Sequence, residues 1–297
     1  MRFCFIGGAP KSGTSSLFQW LKTHPEIDTP LIKETFFFID KNNPLINENE
    51  NFYKNGVNSF IQKFSNSNKI CLEGTTHLLY QNSMIDVLKN ELPNSKFVFV
   101  LRNPVERLVS SFNFTKNNLL RVKKQYSINQ YIKDLKESNE NNIAANITDD
   151  RSAYVLSRDL RYGHYSTYLS HWISVFSNEN IKVILFEDLK ANPQKIITEV
   201  CDFLAIDSSM YLNYSFVKEN ESLIIKNRAL FKLLKVFKVF SPSDRLKKTI
   251  KYFLSSKDIK NNDVVNIEML NFLKQEYTNE KIALKKLGVN SEFKGWV

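Results

Sequence analysis

Short apolar runs recur along the chain at residues 2–6, 69–73, 96–101 and 181–186, each followed by a turn or by a segment of helical period. Runs this short, with almost no polar interruption, predict strands buried on both faces. Between and beyond them, apolar residues return every three or four positions over 14–22, 52–64, 83–92, 105–114, 128–137, 165–176, 193–204 and 268–287, which predicts amphipathic helices. Pro193 stands where the first turn of a helix tolerates a proline, because the N–H there would have no partner. Strands alternating with helices predict an α/β fold in three layers, α/β/α, around a central parallel sheet.

Two stretches interrupt the pattern. Residues 41–51 and 138–150 are rich in Asn, Asp and Glu with few large apolar groups, and read as exposed loops rather than as a domain linker. No internal repeat is present, and 297 residues can be accommodated by one large α/β domain, so the expectation is a single domain over 1–297.

Composition narrows the function only a little. Hydrophobic residues at 42% and charged residues at 24% describe an ordinary globular protein and exclude wholesale disorder. The net charge of +10 favours an anionic partner, but would serve a phosphorylated cofactor, an acidic polysaccharide, nucleic acid or a membrane surface equally. Cys4, Cys71 and Cys201 lie far apart in strand-like or helix-like runs, which reads as buried free thiols. The first strand pattern starts almost at Met1, and no apolar stretch reaches membrane-spanning length. The expected location is therefore cytoplasmic, with peripheral membrane contact left open and the sequons at Asn113, Asn146 and Asn213 unused.

The chemistry begins after the first strand. Gly7-Gly8-Ala9-Pro10-Lys11-Ser12-Gly13-Thr14-Ser15-Ser16 joins it to a helix carrying Leu17, Trp20 and Leu21. A glycine-rich turn between strand and helix aims backbone N–H groups and a helix N-terminus at one point, where a phosphate-like anion binds. Lys11 adds a cation; Ser12, Thr14, Ser15 and Ser16 add hydroxyl donors. The same residues without a ligand would be a capped turn, and Lys11 tips the reading toward an anion site. The order is not that of a nucleoside triphosphate loop, where Gly-Lys-Ser/Thr run in succession, since Lys11 precedes Gly13 by two positions.

A second cation closes a later strand. The run 97–101 delivers Arg102 to a strand end, where an ATPase of this architecture would place a metal-binding aspartate. Arg102 can grip a phosphate with its planar fork, helped by Ser110 on the next helix; it is also in reach of a salt bridge to Glu106.

With both segments quoted, the chain resembles the PAPS-dependent sulfotransferases, in particular bacterial members and the heparan sulfate branch; PAPS is 3′-phosphoadenosine 5′-phosphosulfate and PAP its bisphosphate product. The resemblance rests on Pro10-Lys11-Ser12-Gly13-Thr14-Ser15-Ser16-Leu17 and on Leu101-Arg102-Asn103-Pro104-Val105-Glu106-Arg107-Leu108-Val109-Ser110. Lys33-Glu34-Thr35-Phe36-Phe37-Phe38, Tyr162-Gly163-His164-Tyr165 before Trp172, Phe186-Glu187-Asp188-Leu189 before Pro193, and Trp296 extend it. It implies a P-loop-like fold and in-line transfer of a sulfuryl group from PAPS to a hydroxyl or amine, with a carbohydrate or glycolipid as the implied acceptor and no metal. Lys11 and Glu34 would be catalytic, Glu34 as general base. Lys11, Ser12, Gly13, Thr14, Ser15, Ser16, Arg102 and Ser110 would hold the cofactor, with Lys226 and Arg228 as weaker candidates.

Two departures concern the acceptor side. Phe36 stands where the heparan branch commonly has histidine, and Glu73-Gly74-Thr75 stands where many relatives carry lysine in the middle position. His77, after the same strand, is an alternative base, although a structural or surface role fits a lone histidine better. Lys232, Lys235 and Lys238 give the segment 223–240 a basic face, read as a solvated helix edge or as a membrane-surface contact. Tyr162, Tyr165, Tyr168 and Trp172 lie at helical spacing and are read as core rather than as a stacking platform. The rival functions are an ATP-dependent small-molecule kinase and a non-catalytic binder of acidic polysaccharide or nucleic acid.

Overall fold

The computed structural model describes residues 1–66, 68–217, 224–225, 255–256 and 263–296. Contacts divide the chain into two compact units: Met1–Arg107, Leu160–Glu219 and Leu273–Val297 form the first, Leu108–Asp159 and Asn220–Phe272 the second.

The first unit holds the sheet. Its strands are β1 (Arg2–Gly8), β2 (Ile27–Asp28), β3 (Ile70–Glu73), β4 (Lys96–Leu101) and β5 (Ile181–Leu185), in the order β2-β3-β1-β4-β5. All four pairings are parallel. Its helices are α1 (Thr14–Lys22), α2 (Phe52–Ile61), α3 (Ser83–Glu91), α4 (Pro104–Asn113, which continues into the second unit), α8 (Tyr165–Phe176), α9 (Phe186–Ala191) and α10 (Pro193–Leu204). The second unit carries α5 (Ile128–Lys136), α6 (Glu140–Ala145) and α7 (Asp150–Ser157); α11 (Ile267–Glu276) and α12 (Glu280–Lys286) follow.

The apolar runs hide a second period. Within β1 and β4, one set of alternate residues is aliphatic or small (Cys4, Ile6, Val98, Val100) and packs with Leu17, Leu21, Ile197, Val200 and Leu204 of α1 and α10. The other set is aromatic (Phe3, Phe5, Phe97, Phe99). On that face Phe5 stacks on Phe60 of α2 at 5.9 Å and Phe97 meets Trp172 and Phe176 of α8 at 4.7 and 4.5 Å between ring centroids. Alternation along a strand sends neighbours to opposite faces, so each face meets its own set of helices. The expected three-layer arrangement is therefore the observed one, and Tyr162, Tyr165 and Trp172 are buried in it, with Tyr168 half-buried. Cys4, Cys71 and Cys201 are buried free thiols.

The sheet order places β1 at a topological switch point: the chain leaves its C-terminal end toward β2 and β3 on one side, and later builds β4 and β5 on the other. Ligands of open α/β sheets sit in the crevice formed there.

Three local expectations are corrected. The stretch 138–150 is not a bare loop: it contains α6, and its polar residues are caps, Asn139 accepting from the Asn142 N–H and Asp149 from the Ser152 N–H, while buried Ile143 anchors the short helix. The capped α7 that follows was not anticipated. The helix expected over 268–287 breaks after Glu276, where the Thr278 and Glu280 N–H groups turn back to the Gln275 and Tyr277 carbonyls, while the Tyr277 hydroxyl donates to the Leu160 carbonyl at 2.8 Å. Phe186, expected to end a strand, opens α9. The segment 223–240, with Lys226 and Arg228, lies outside the described residues except for Ile224–Ile225, a strand paired antiparallel with Ser255–Ser256. Among the described residues no helix is long and apolar enough to cross a membrane.

Candidate functional site

The loop after β1 is tied to the neighbouring strand as it leaves the sheet, the Ala9 N–H donating to the Val100 carbonyl at 2.7 Å. It then passes through left-handed backbone at Lys11 (φ 68°) and Gly13 (φ 84°). Gly13 caps α1, accepting at its carbonyl from the Ser16 and Leu17 N–H groups. A side chain at Gly13 is excluded twice: by the positive φ, and because a Cβ would lie 2.8 Å from the Phe186 ring. For Lys11 the left-handed conformation costs on the order of 1–3 kcal/mol, a cost that recurs where backbone is held for function.

Ser12 is fully buried in this loop, and its Oγ has no hydrogen-bond partner among the described residues. A buried hydroxyl without a partner costs about 1–3 kcal/mol, so an acceptor brought by a ligand answers a need already built into the loop. Phosphate-like oxygens fit the surrounding donors, which include the hydroxyls of Thr14 and Ser15.

Arg102 leaves the end of β4 beside this loop. Its Nη1 donates to the Lys11 carbonyl at 3.2 Å, and its guanidinium lies 4.8 Å over the Phe186 ring. Nε and Nη2 donate to Glu106 Oε2 at 3.2 and 2.9 Å, so the salt bridge considered from the sequence and the meeting with the loop both occur. Glu106 is 57% exposed, and such a pair is worth at most about 1 kcal/mol, little obstacle to an incoming anion.

Lys33 and Glu34 complete the group. Lys33 Nζ lies 3.1 Å from Glu34 Oε1, 3.5 Å from Thr14 Oγ1 and 3.4 Å from Ser15 Oγ, so this ammonium links the acid to the start of α1. The Thr76 hydroxyl donates to Glu34 Oε2 at 3.5 Å. Phe36, two residues on, is also left-handed (φ 50°), unusual for a bulky side chain.

Behind this segment sits Glu73, at the end of β3 and 2% exposed. It accepts from the Thr35 N–H and hydroxyl, each at 2.9 Å, from the Thr75 N–H at 2.8 Å and from the Thr75 hydroxyl. Burial pushes its carboxyl up from the usual range while these four donors pull it back. No role for Glu73 follows from the sequence, because an acid closing a strand has no signature; the register sets it beside Phe5 of β1, behind the segment that carries Glu34.

His77 presents a different picture. Both ring nitrogens are shut off from solvent without a hydrogen-bond partner among the described residues, and the ring is bracketed by Phe36, Tyr80 and Tyr162. Burial and then the nearby Arg107 guanidinium push it down to about 3, so it is a neutral imidazole at ordinary pH.

The first unit thus brings together Lys11, Ser12, Gly13, Thr14, Ser15, Ser16, Lys33, Glu34 and Arg102. Ser110 lies on α4 in the second unit. Lys226 and Arg228 are outside the described residues.

A glycine-bearing loop between the central strand and its helix, with a cation in the loop and another at the next strand end, defines an α/β protein of the P-loop-like class. Within it the chain belongs to the sulfotransferase-domain family, whose model matches residues 3–281. The membrane-associated sulfotransferase kil1 of Dictyostelium discoideum is 23% identical over 69% of this chain and 56% of its own length. A bifunctional heparan sulfate N-deacetylase/N-sulfotransferase 1 of Caenorhabditis briggsae is 24% identical over 67% of this chain and 22% of its own. The chain thus spans about half, or much less, of these relatives. Among solved structures, a sulfotransferase from Alicyclobacillus acidocaldarius matches with a TM-score of 0.64 at 19% identity, covering 96% of this chain and 94% of that one. Mouse sulfotransferase SULT7A1 complexed with PAP matches at 0.50 and 15%, covering 98% and 85%. These two likenesses establish the fold.

Proposed function

We propose that the chain is a PAPS-dependent sulfotransferase acting on a hydroxyl or amine of a carbohydrate-containing acceptor. The observation that carries the reading is the contact of Arg102 with the Lys11 carbonyl, which sets two cationic segments side by side at the ends of β1 and β4, next to the unpartnered hydroxyl of Ser12. Bound PAPS supplies the sulfuryl group, with PAP as its leaving portion. The heparan-modifying relative and the PAP-bound mouse neighbour agree with this choice of acceptor class and cofactor.

The chain's own residues divide the work. The loop N–H groups, the Ser12, Thr14 and Ser15 hydroxyls and the Lys11 ammonium hold the 5′ end and stabilise charge developing on the leaving phosphate, an effect usually among the largest in such sites. Arg102 takes the 3′-phosphate with its forked donors. Glu34 accepts the acceptor's proton. Its carboxylate is 30% exposed and open to an acceptor, whereas both nitrogens of His77 are sealed, and this contrast supports the carboxylate as base.

Calorimetry with PAP against Mg-ATP tests the cofactor, and transfer from labelled PAPS to mixed glycan acceptors tests the reaction. Lys11→Ala should abolish transfer, and Glu34→Gln should lower kcat by roughly 10²–10⁴-fold, the usual worth of a general base. His77→Ala should cost far less. Transfer largely intact in Glu34→Gln would eliminate the carboxylate mechanism, and Mg-ATP binding without PAP binding would return the chain to the kinases.

A further inference from the structure

We infer that Glu187 is a positioning residue for the cofactor: it fixes the peptide that aims Arg102, in concert with Trp296. The inference rests on the reading of Arg102 as the 3′-phosphate ligand.

Glu187 follows β5 in α9, close to the strand end that presents Arg102, and a carboxylate next to an anion site weakens it by repulsion. Its two oxygens are nevertheless directed at N–H donors. Oε1 accepts from the Asn103 backbone N–H at 3.0 Å, and Oε2 from Trp296 Nε1 at 3.1 Å.

The Asn103 N–H belongs to the peptide plane that also contains the Arg102 carbonyl, and that carbonyl accepts from the Tyr165 hydroxyl at 2.8 Å. One peptide plane is thus held at both ends. Because the peptide unit is rigid, fixing its N–H and its C=O fixes the backbone torsion at Arg102 and so the direction in which its side chain departs. The other groups of the turn are committed too: Asn103 Oδ1 accepts from the Val105 N–H at 3.0 Å, and Asn103 Nδ2 donates to the Gly295 carbonyl at 2.6 Å.

Trp296 determines where the Glu187 carboxylate points. Its ring packs against Phe293 at 5.0 Å and Tyr165 at 6.0 Å, the same tyrosine that holds the Arg102 carbonyl. Phe186, the preceding residue of α9, lies under the Arg102 guanidinium and against Gly13. Two consecutive residues of a six-residue helix therefore set the aim of the arginine, one through its ring and one through its carboxylate.

The experiment compares PAP with adenosine 5′-monophosphate, which lacks the 3′-phosphate, by calorimetry. The wild-type chain should favour PAP, and Arg102→Ala should erase the preference. Glu187→Ala should weaken PAP about tenfold, the equivalent of one well-placed charged hydrogen bond, and leave the monophosphate within about twofold. Glu187→Gln, which keeps one acceptor, should recover part of the loss. Trp296→Phe removes the N–H while keeping a smaller aromatic ring against Phe293 and Tyr165, and should shift PAP in the same direction by about threefold, with no added loss on Glu187→Ala; it carries the test if Glu187→Ala does not fold. Equal losses for both nucleotides, or no loss for either, would overturn the positioning role. A wild-type chain with no preference for PAP, or a preference that survives Arg102→Ala, would overturn the reading of Arg102 and this inference with it.

Discussion

Glu73 offers a sharp test of how the proposed base is held. Its Oε1 receives the Thr35 N–H, the Thr35 hydroxyl and the Thr75 hydroxyl, while Oε2 receives the Thr75 N–H. Thr35 directly follows Glu34, so this carboxylate anchors the segment carrying the base. In Glu73→Gln the amide oxygen can keep the three Oε1 contacts, but its NH2 group then faces the Thr75 N–H, and a buried donor without a partner costs about 1–3 kcal/mol. Removing a buried charge returns part of that. A net loss of about 1–2 kcal/mol corresponds to a melting temperature lower by roughly 2–8 °C for a domain of this size, with transfer nearly intact because Thr35 remains anchored. Glu73→Ala releases Thr35 altogether. Its kcat should fall at least tenfold, with KM for PAPS changed by less, because a segment adrift by an ångström can cost about 10²-fold. The pH dependence supplies an independent check. A carboxyl raised on folding binds its proton more tightly in the folded state, so stability falls as pH rises from the unfolded glutamate value near 4.5 through the raised one. That component should vanish in Glu73→Gln. Thermal melts across acid pH and steady-state transfer assays read both effects, and a folded Glu73→Ala variant with wild-type kcat would refute the anchoring argument.

Two further outcomes follow from the geometry. Gly13→Ala puts a Cβ 2.8 Å from the Phe186 ring in left-handed backbone, so its melting temperature should drop and PAP affinity should fall with it, as calorimetry and thermal melts would show. His164 is raised by Glu280, against the opposing effect of burial, and by Glu276 at 3.0 Å; its contribution to stability is therefore fully present below the unfolded value of 6.5 and lost as pH rises through the folded one. His164→Gln should flatten the decline in melting temperature above that pH, and an unchanged slope would show that the histidine does not couple the helices to pH.

Legibility in the sequence followed how local each signal was. β1, β3, β4 and β5 could be read because their apolar runs state burial directly. β2 could not: its two residues become a strand only through pairing with β3 at Ile70 and Cys71. The helix break after Glu276 was hidden because the apolar period continues across it, while the local turn that interrupts it, Thr278 N–H to Gln275 and Glu280 N–H to Tyr277, carries no glycine or proline to announce it. The anion loop and Arg102 were visible for the opposite reason: glycine, lysine and helix start are contiguous in one, strand end and arginine in the other.

The acids at the same edge show why a charge count misleads there. Glu73 ends β3, Arg102 follows β4 and Glu187 follows β5, so the strand ends that present the cation also present carboxylates, which by charge alone disfavour an anion. The hydrogen bonds alter that balance. Glu73 faces two N–H groups and two hydroxyls, and Glu187 faces an amide and an indole, so both negative charges are engaged by donors within the protein. Arg102 is the member of the three with a forked donor set, engaged by the Lys11 carbonyl and by a half-exposed acid that a ligand can displace. An anion site can therefore be framed by carboxylates, provided each is supplied with its own donors, and those donors are backbone groups and side chains that no motif records.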